Sequence, residues 1–283
     1  MLLSLTQGCA PPYATTAPGG FSEYAREHMI LVDDLELHFV EAGQPGKPLV
    51  LFVHGTPGSW HAFDSFLRDP RLVLNLHMIA VDRLGFGKSA TSGPRPSFHD
   101  QARTISKLFE RNQSGMKTLL VGHSLGGSIG ARMAVDYPND VGALLAISSA
   151  ISPQLAQPRW YNHFADLPLV RSLLPKDLSV ANEEVMLLTH ELAAIEPQLR
   201  ILAIPVTIIQ GMQDKLVAPA NADYVEATMN EATLQVMRFP DAGHFLIWEQ
   251  PDVVTDEILR LVEELPAMME QSSRWPVTMN NNA

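Results

Sequence analysis

A serine flanked by glycines is the first place in this 283-residue chain where residue type and spacing point to chemistry. In Gly122-His123-Ser124-Leu125-Gly126 the glycines stand two residues before and two after the serine. The string lies between the apolar run Thr118–Val121 and a helical stretch, Gly126–Tyr137. Gly-x-Ser-x-Gly between a strand and a helix marks a sharp turn in which missing Cβ atoms relieve clashes and the hydroxyl projects from the tip. Such a hydroxyl does nucleophilic chemistry. It is weak at its free pKa, so it requires a base near working pH and a group that orients the base. Gly127 and Ser128 continue the run of small side chains, allowing close helix–strand packing.

Three other strings fail on inspection. Gly87-Lys88-Ser89 ends like a phosphate-binding loop, but the glycine required five residues before Gly87 is Asp82. Gly85-Phe86-Gly87 starts like a dinucleotide fingerprint, yet Gly93, Pro94 and Pro96 forbid the helix that must follow. His190-Glu191 lacks the second histidine of a zinc motif, and the single cysteine, Cys9, excludes an internal disulfide or a multi-cysteine zinc site. Neither a metal nor a cofactor is expected.

The elements that must position Ser124 are legible from periodicity. Met29–Val32 and Leu35–Val40 read as strands joined at Asp33-Asp34, a hairpin. Leu49–Val53, Met78–Val81, Thr118–Val121, Leu144–Ile147 and Val206–Ile209 are continuous apolar runs of strand length, as expected for strands buried on both faces of a parallel sheet; Leu234–Phe239 adds another strand. Helical patterns alternate with them at Trp60–Leu67, Phe98–Arg111, Gly126–Tyr137, Ala220–Met229 and Val253–Leu265. This alternation predicts an α/β protein with a mostly parallel central sheet of about eight strands flanked by helices.

Residues 150–200 break the rhythm, with aromatic residues, prolines and short helical patterns such as Glu183–Leu192 but no convincing strand. They read as an inserted helical cap between core segments 28–149 and 201–265. Its apolar residues, Trp160, Tyr161 and Phe164 foremost, are candidates for binding the apolar part of a substrate, or only for burying the cap on the sheet.

With the turn, the strands and the helices in this order, the chain resembles the α/β-hydrolase superfamily over nearly all of residues 28–265, and within it the serine esterase and lipase-like members with a small helical cap. The resemblance implies a triad in the chain order serine, acid, histidine. Val206–Ile209 leads into Gly211-Met212-Gln213-Asp214-Lys215-Leu216-Val217, similar to the family's Gly-x-x-Asp-x-x-Val turn. Asp214 is thus the candidate acid, with a turn-capping aspartate as the alternative reading. His244, in Asp241-Ala242-Gly243-His244-Phe245 after the last strand, is the candidate base, and Asp241 competes locally for the acid's place. The resemblance also places oxyanion-stabilising N–H groups at Leu125 and, in Val53-His54-Gly55-Thr56-Pro57-Gly58, at Thr56. Pro57 has no N–H to give. The loop Asp82–Ser89 matches a structural loop of the family that packs near the oxyanion loop.

Around these two loops the chain also resembles haloalkane dehalogenases and epoxide hydrolases, which carry Asp where Ser124 stands. Serine implies acyl transfer, so the expected reaction is hydrolysis of a small-molecule carboxylic ester with a small to medium apolar acyl or alcohol group. A lactonase, a hydrolase of ring-cleavage products, a proline-type aminopeptidase or a catalytically silent binding module is the alternative.

Composition sets the outer bounds. Apolar residues at 46% against 18% charged indicate a globular chain, and a net charge of −11 weighs against nucleic-acid partners and against anionic lipid surfaces, leaving a membrane to be reached only through a lipid anchor. The N-terminal residues 1–27 end an apolar fragment at Gly8-Cys9 and continue as a Pro- and Gly-rich run. This resembles the end of a bacterial lipoprotein signal, although a basic region is missing, the apolar run is short and Gln7 is unusual there. Two expectations stand: a lipid anchor at Cys9 on an envelope protein, or a frayed terminus on a cytoplasmic one. Residues 266–283, lacking periodicity, are expected to form a mobile tail.

Overall fold

The computed structural model describes residues 25–92 and 95–268. Cys9, its flanking run and residues 269–283 lie outside the described residues.

Eight strands form one sheet: β1 Ala25–Val32, β2 Leu35–Gly43, β3 Leu49–Val53, β4 His77–Val81, β5 Thr118–His123, β6 Val141–Ile147, β7 Pro205–Gly211 and β8 Thr233–Phe239. Their spatial order is β1-β2-β4-β3-β5-β6-β7-β8. The pairs β1–β2 and β2–β4 are antiparallel, and all the others are parallel. The expected hairpin forms, with both Asp33 (φ 47°) and Asp34 (φ 65°) in the left-handed region that a tight two-residue loop demands and aspartate tolerates.

Every residue of β3, β4, β5 and β6 is buried, because helices cover both faces of the sheet. The pleat sorts their side chains by turns. Leu49, Leu51 and Val53 enter one core, whereas Val50 and Phe52 enter the other. The first core is closed by α3 Phe98–Ile105, α4 Leu125–Asp136 and α8 Asn221–Thr228, through Phe98, Ile129, Met133 and Val225. The second is closed by the Trp60–Phe63 turn, α1 Asp64–Leu67, α2 Pro70–Val73, α9 Leu246–Glu249 and α10 Pro251–Glu263, through Phe63, Phe66, Leu72, Val254 and Ile258.

Between β6 and β7 stand α5 Trp160–Ala165, α6 Pro168–Leu173 and α7 Lys176–Leu199. The short pattern Glu183–Leu192 belongs to one 24-residue helix. Its buried residues Val180, Glu184, Leu188, Leu192, Ile195 and Leu199 recur at three- and four-residue steps, which places them on one face. Pro197 falls in the last turn.

Two boundaries differ from expectation. Phe98–Arg111 is α-helical only to Ile105 and tightens to 3₁₀ geometry over Ser106–Arg111. Residues 266–268 pair with the sheet edge before β5: the Lys117 N–H donates to the Pro266 carbonyl at 2.8 Å and the Met268 N–H to the Gly115 carbonyl at 2.7 Å. The chain therefore stays attached past Pro266, held by backbone hydrogen bonds that residue type does not announce.

Candidate active site

Ser124 sits between β5 and α4 with φ 55° and ψ −126°, a strained conformation for a residue with a Cβ. The flanking glycines are enforced by contact. A Cβ on Gly122 would lie 2.4 Å from the Gly127 Cα, and one on Gly126 would lie 2.0 Å from the Val53 carbonyl oxygen. Ser124 donates its N–H to the Ile147 carbonyl at 2.8 Å, tying the turn to β6. Leu125 is the first residue of α4, so its N–H has no acceptor within the helix and is free to face an anion.

The loop after β7 and the loop after β8 bring the candidate acid and the candidate base together. Asp214 Oδ2 lies 2.7 Å from His244 Nδ1, and both side chains are buried. The other carboxylate oxygen accepts the Leu216 and Val217 N–H groups at 2.8 and 2.9 Å. Burial pushes the Asp214 pKa up, but the hydrogen bond and charge of His244 and the two amides outweigh it, so the net shift is downward and the carboxylate stays ionised. Asp241, the alternative, is exposed. With Nδ1 held by Asp214, His244 presents Nε2 as its remaining ring nitrogen.

Two further histidines hold this arrangement without being able to serve as its base. His123 donates from Nε2 to the His244 carbonyl at 3.0 Å and lies with its ring centroid 5.0 Å from that of His244. His54 accepts the Arg83 N–H on Nε2 at 3.0 Å, which puts its proton on Nδ1, 2.7 Å from the Gly55 carbonyl. Desolvation lowers both pKa values to about 3, with the Arg83 charge adding to it at His54, so both rings are neutral at physiological pH.

Thr56 immediately precedes a cis peptide bond to Pro57 and stands on the wall of a cavity of about 230 Å³. That one cavity is lined by Thr56, Ser124, Leu125 and His244, and its Thr56 Oγ1 is buried with no hydrogen-bond partner among the described residues. The loop of residues 54–58 is braced from behind by Arg83, which donates from Nε to the His54 carbonyl at 2.8 Å and from Nη2 to the Gly55 carbonyl at 2.9 Å. Its Nη1 and Nη2 also meet both oxygens of Glu184 on α7, at 2.5 and 3.1 Å. Both side chains of this ion pair are essentially inaccessible to solvent. Asp82 ties the end of that loop to the Asp82–Ser89 loop by accepting the Trp60 and Lys88 N–H groups, and it meets His38 Nδ1 on β2 at 2.8 Å.

Of the cap residues expected to bind substrate, only Tyr161 lines the cavity. Trp160 and Phe164 do not line it: they are 78% and 56% exposed, one helical turn apart on the outer side of α5. Composition foretold apolar cap residues but not which way a six-residue helix turns. The wall is completed by Leu155, Gln157, Arg159 and Asn162 from the cap's first turns and by Val185 and Leu188 from α7. Leu155 had a signal in the sequence as an apolar residue of the cap, and Val185 and Leu188 as members of the helical pattern Glu183–Leu192; Gln157, Arg159 and Asn162 had none. Among the described residues there is no cluster of three or more histidine, cysteine or acidic side chains fit to hold a metal ion, and no helix long and apolar enough to cross a membrane.

The mostly parallel eight-stranded sheet with helices on both faces is that of an α/β hydrolase. The model of the alpha/beta hydrolase family matches residues 50–257, well over half of the chain, and the protein belongs to that family. Lipase 1 of Psychrobacter immobilis is 25% identical over 244 residues, 75% of each chain. The 3-oxoadipate enol-lactonase 2 of Acinetobacter baylyi is 26% identical over 253 residues, 78% of this chain and 91% of that one. In fold, an epoxide hydrolase from Vigna radiata superposes with a TM-score of 0.66 at 16% identity, covering 87% of this chain and all of that one.

Proposed function

We propose that this protein is a serine hydrolase of carboxylic esters. The observation that carries the reading is the 2.7 Å hydrogen bond between Asp214 and His244 at the wall of the cavity that also holds Ser124 on its strained turn. His244 takes the Ser124 proton as Oγ attacks the ester carbonyl, and Asp214 holds the ring's tautomer and stabilises the imidazolium. The charge that develops on the carbonyl oxygen falls to the N–H groups of Leu125 and Thr56, each worth on the order of 3 kcal/mol to the transition state. His244 returns the proton to the leaving alcohol. It then activates water, which releases the acid from the acyl-enzyme.

A cavity of about 230 Å³ lined by Leu155, Tyr161, Val185 and Leu188 favours a small to medium apolar acyl or alcohol group. The likeness to an enol-lactonase supports a second reading with the same triad, in which the ester is cyclic. A fluorophosphonate should label the wild type and not Ser124→Ala, and kcat/KM should peak on a p-nitrophenyl ester rather than on lactone, amide or ring-cleavage substrates. A wild type that resists the label sinks the reading. An optimum on lactones installs the second.

A further inference from the structure

Helices α5 and α6 bury none of their residues. Trp160, Leu169 and Leu173 are each more than three-quarters exposed, and Phe164 and Leu167 about half. Among the described residues, nine of the sixteen large apolar side chains that are exposed lie between Leu155 and Leu187, so the exposed apolar surface is concentrated on the cap. Soluble surfaces carry such side chains singly; a concentration of them marks an interaction site.

Charge narrows the occupant. Although the net charge of the whole chain is −11, residues 159–177 carry Arg159, Arg171 and Lys176 against two carboxylates, Asp166 and Asp177. Arg171 pairs with Glu183. Arg159 and Lys176 instead donate to the carbonyls of Lys215 and Ala90, at 2.7 and 2.6 Å, which leaves their charge uncompensated. Apolar and aromatic side chains fringed by such cations suit an acyl–headgroup boundary with anionic lipid. The patch also runs on to the cavity mouth, because Leu155 and Tyr161 are at once exposed and part of the cavity wall. Whatever covers the patch thus covers the entrance. A lipid surface does so and still delivers apolar ester chains.

We propose that the outer face of α5 and α6 docks on an anionic lipid surface, from which the ester enters the Ser124 cavity. The docking is independent of catalysis; the entry of an ester rests on the hydrolase reading above. The test uses the full chain carrying Cys9→Ala, which removes any lipid anchor, together with Ser124→Ala, which preserves the lipid. Co-sedimentation is measured with vesicles of phosphatidylcholine containing a quarter phosphatidylglycerol, and with phosphatidylcholine alone.

Binding should favour the anionic vesicles and weaken with salt. It should fall at least tenfold in Leu169→Ser/Leu173→Ser, and Lys176→Glu should erase the preference for phosphatidylglycerol. With Ser124 restored, the double variant should hydrolyse p-nitrophenyl acetate at the wild-type rate and a vesicle-borne ester at least tenfold more slowly. Vesicle binding that is absent, or unchanged in the double variant, overturns the proposal. So does a dimer that the double variant dissociates, which would assign the face to a second copy of the chain. If p-nitrophenyl acetate is not hydrolysed while vesicle binding follows these variants, docking stands and the hydrolase reading fails.

Discussion

Glu184→Ala tests how the cap is joined to the core. The substitution leaves the Arg83 guanidinium, fully buried, with its two carbonyl acceptors in the oxyanion loop but no counter-charge. Removing one partner of a buried ion pair costs about 3–5 kcal/mol, because the remaining charge has lost both water and its partner. That is a large part of the roughly 5–15 kcal/mol that holds a domain together. At about 2–4 °C per kcal/mol for a chain of this size class, the Tm should fall by roughly 6–20 °C. Arg200→Ala is the control: its bond to Glu196 lies at the surface with Arg200 half exposed, so less than about 1 kcal/mol is expected. Glu184→Gln, which keeps one acceptor oxygen without the charge, should fall between the two. Urea unfolding at neutral pH with linear extrapolation measures all three. A Glu184→Ala loss no larger than that of Arg200→Ala would refute the reasoning, since it would mean that water reaches Arg83 and the cap is not sealed on the oxyanion loop.

Three further outcomes follow from the same geometry. Asp214→Asn should lower kcat on an ester by about 10⁴ with little change in KM, because the amide orients the wrong tautomer of His244; a loss below tenfold would remove Asp214 from the triad. Gly126→Ala places a Cβ 2.0 Å from the Val53 carbonyl oxygen, and the forced shift of roughly 1 Å at Ser124 should cost about 100-fold in kcat/KM; unchanged kinetics would contradict the contact. His54 and His123 are held neutral in the fold, with pKa values of about 3 against roughly 6.5 when unfolded. Their depressed values give stability that is fully present above about 6.5 and lost as the pH falls from there towards 3, where the unfolded chain takes up protons first. Asp214, also depressed, adds to the acid-side loss only below the ordinary aspartate range. The urea midpoint should therefore drop steadily between pH 6.5 and 4; a flat profile would show that both rings are accessible when folded.

The reach of the sequence follows the range of the interactions involved. The turn at Ser124 was legible because its requirements are local: two missing Cβ atoms, a strand before and a helix after. The parallel sheet was legible because strands buried on both faces must be continuously apolar, as Leu49–Val53 and Val141–Ile147 are. The chain order Ser124, Asp214, His244 came from resemblance. Only the structure separates Asp214 from Asp241, since that choice is a distance across 30 residues of chain rather than a matter of residue type. The cap was readable as an interruption and not as a surface. Trp160, Tyr161 and Phe164 are alike in hydropathy, yet the direction in which α5 is turned sends Tyr161 to the cavity and the other two outward. The Arg83–Glu184 pair, 101 residues apart, had no signal at all, because a charged residue reads as exposed until the fold supplies the partner that makes its burial tolerable. Local backbone geometry and periodicity are written along the chain; orientation and long-range pairing exist only once the sheet has brought distant segments within reach of one another.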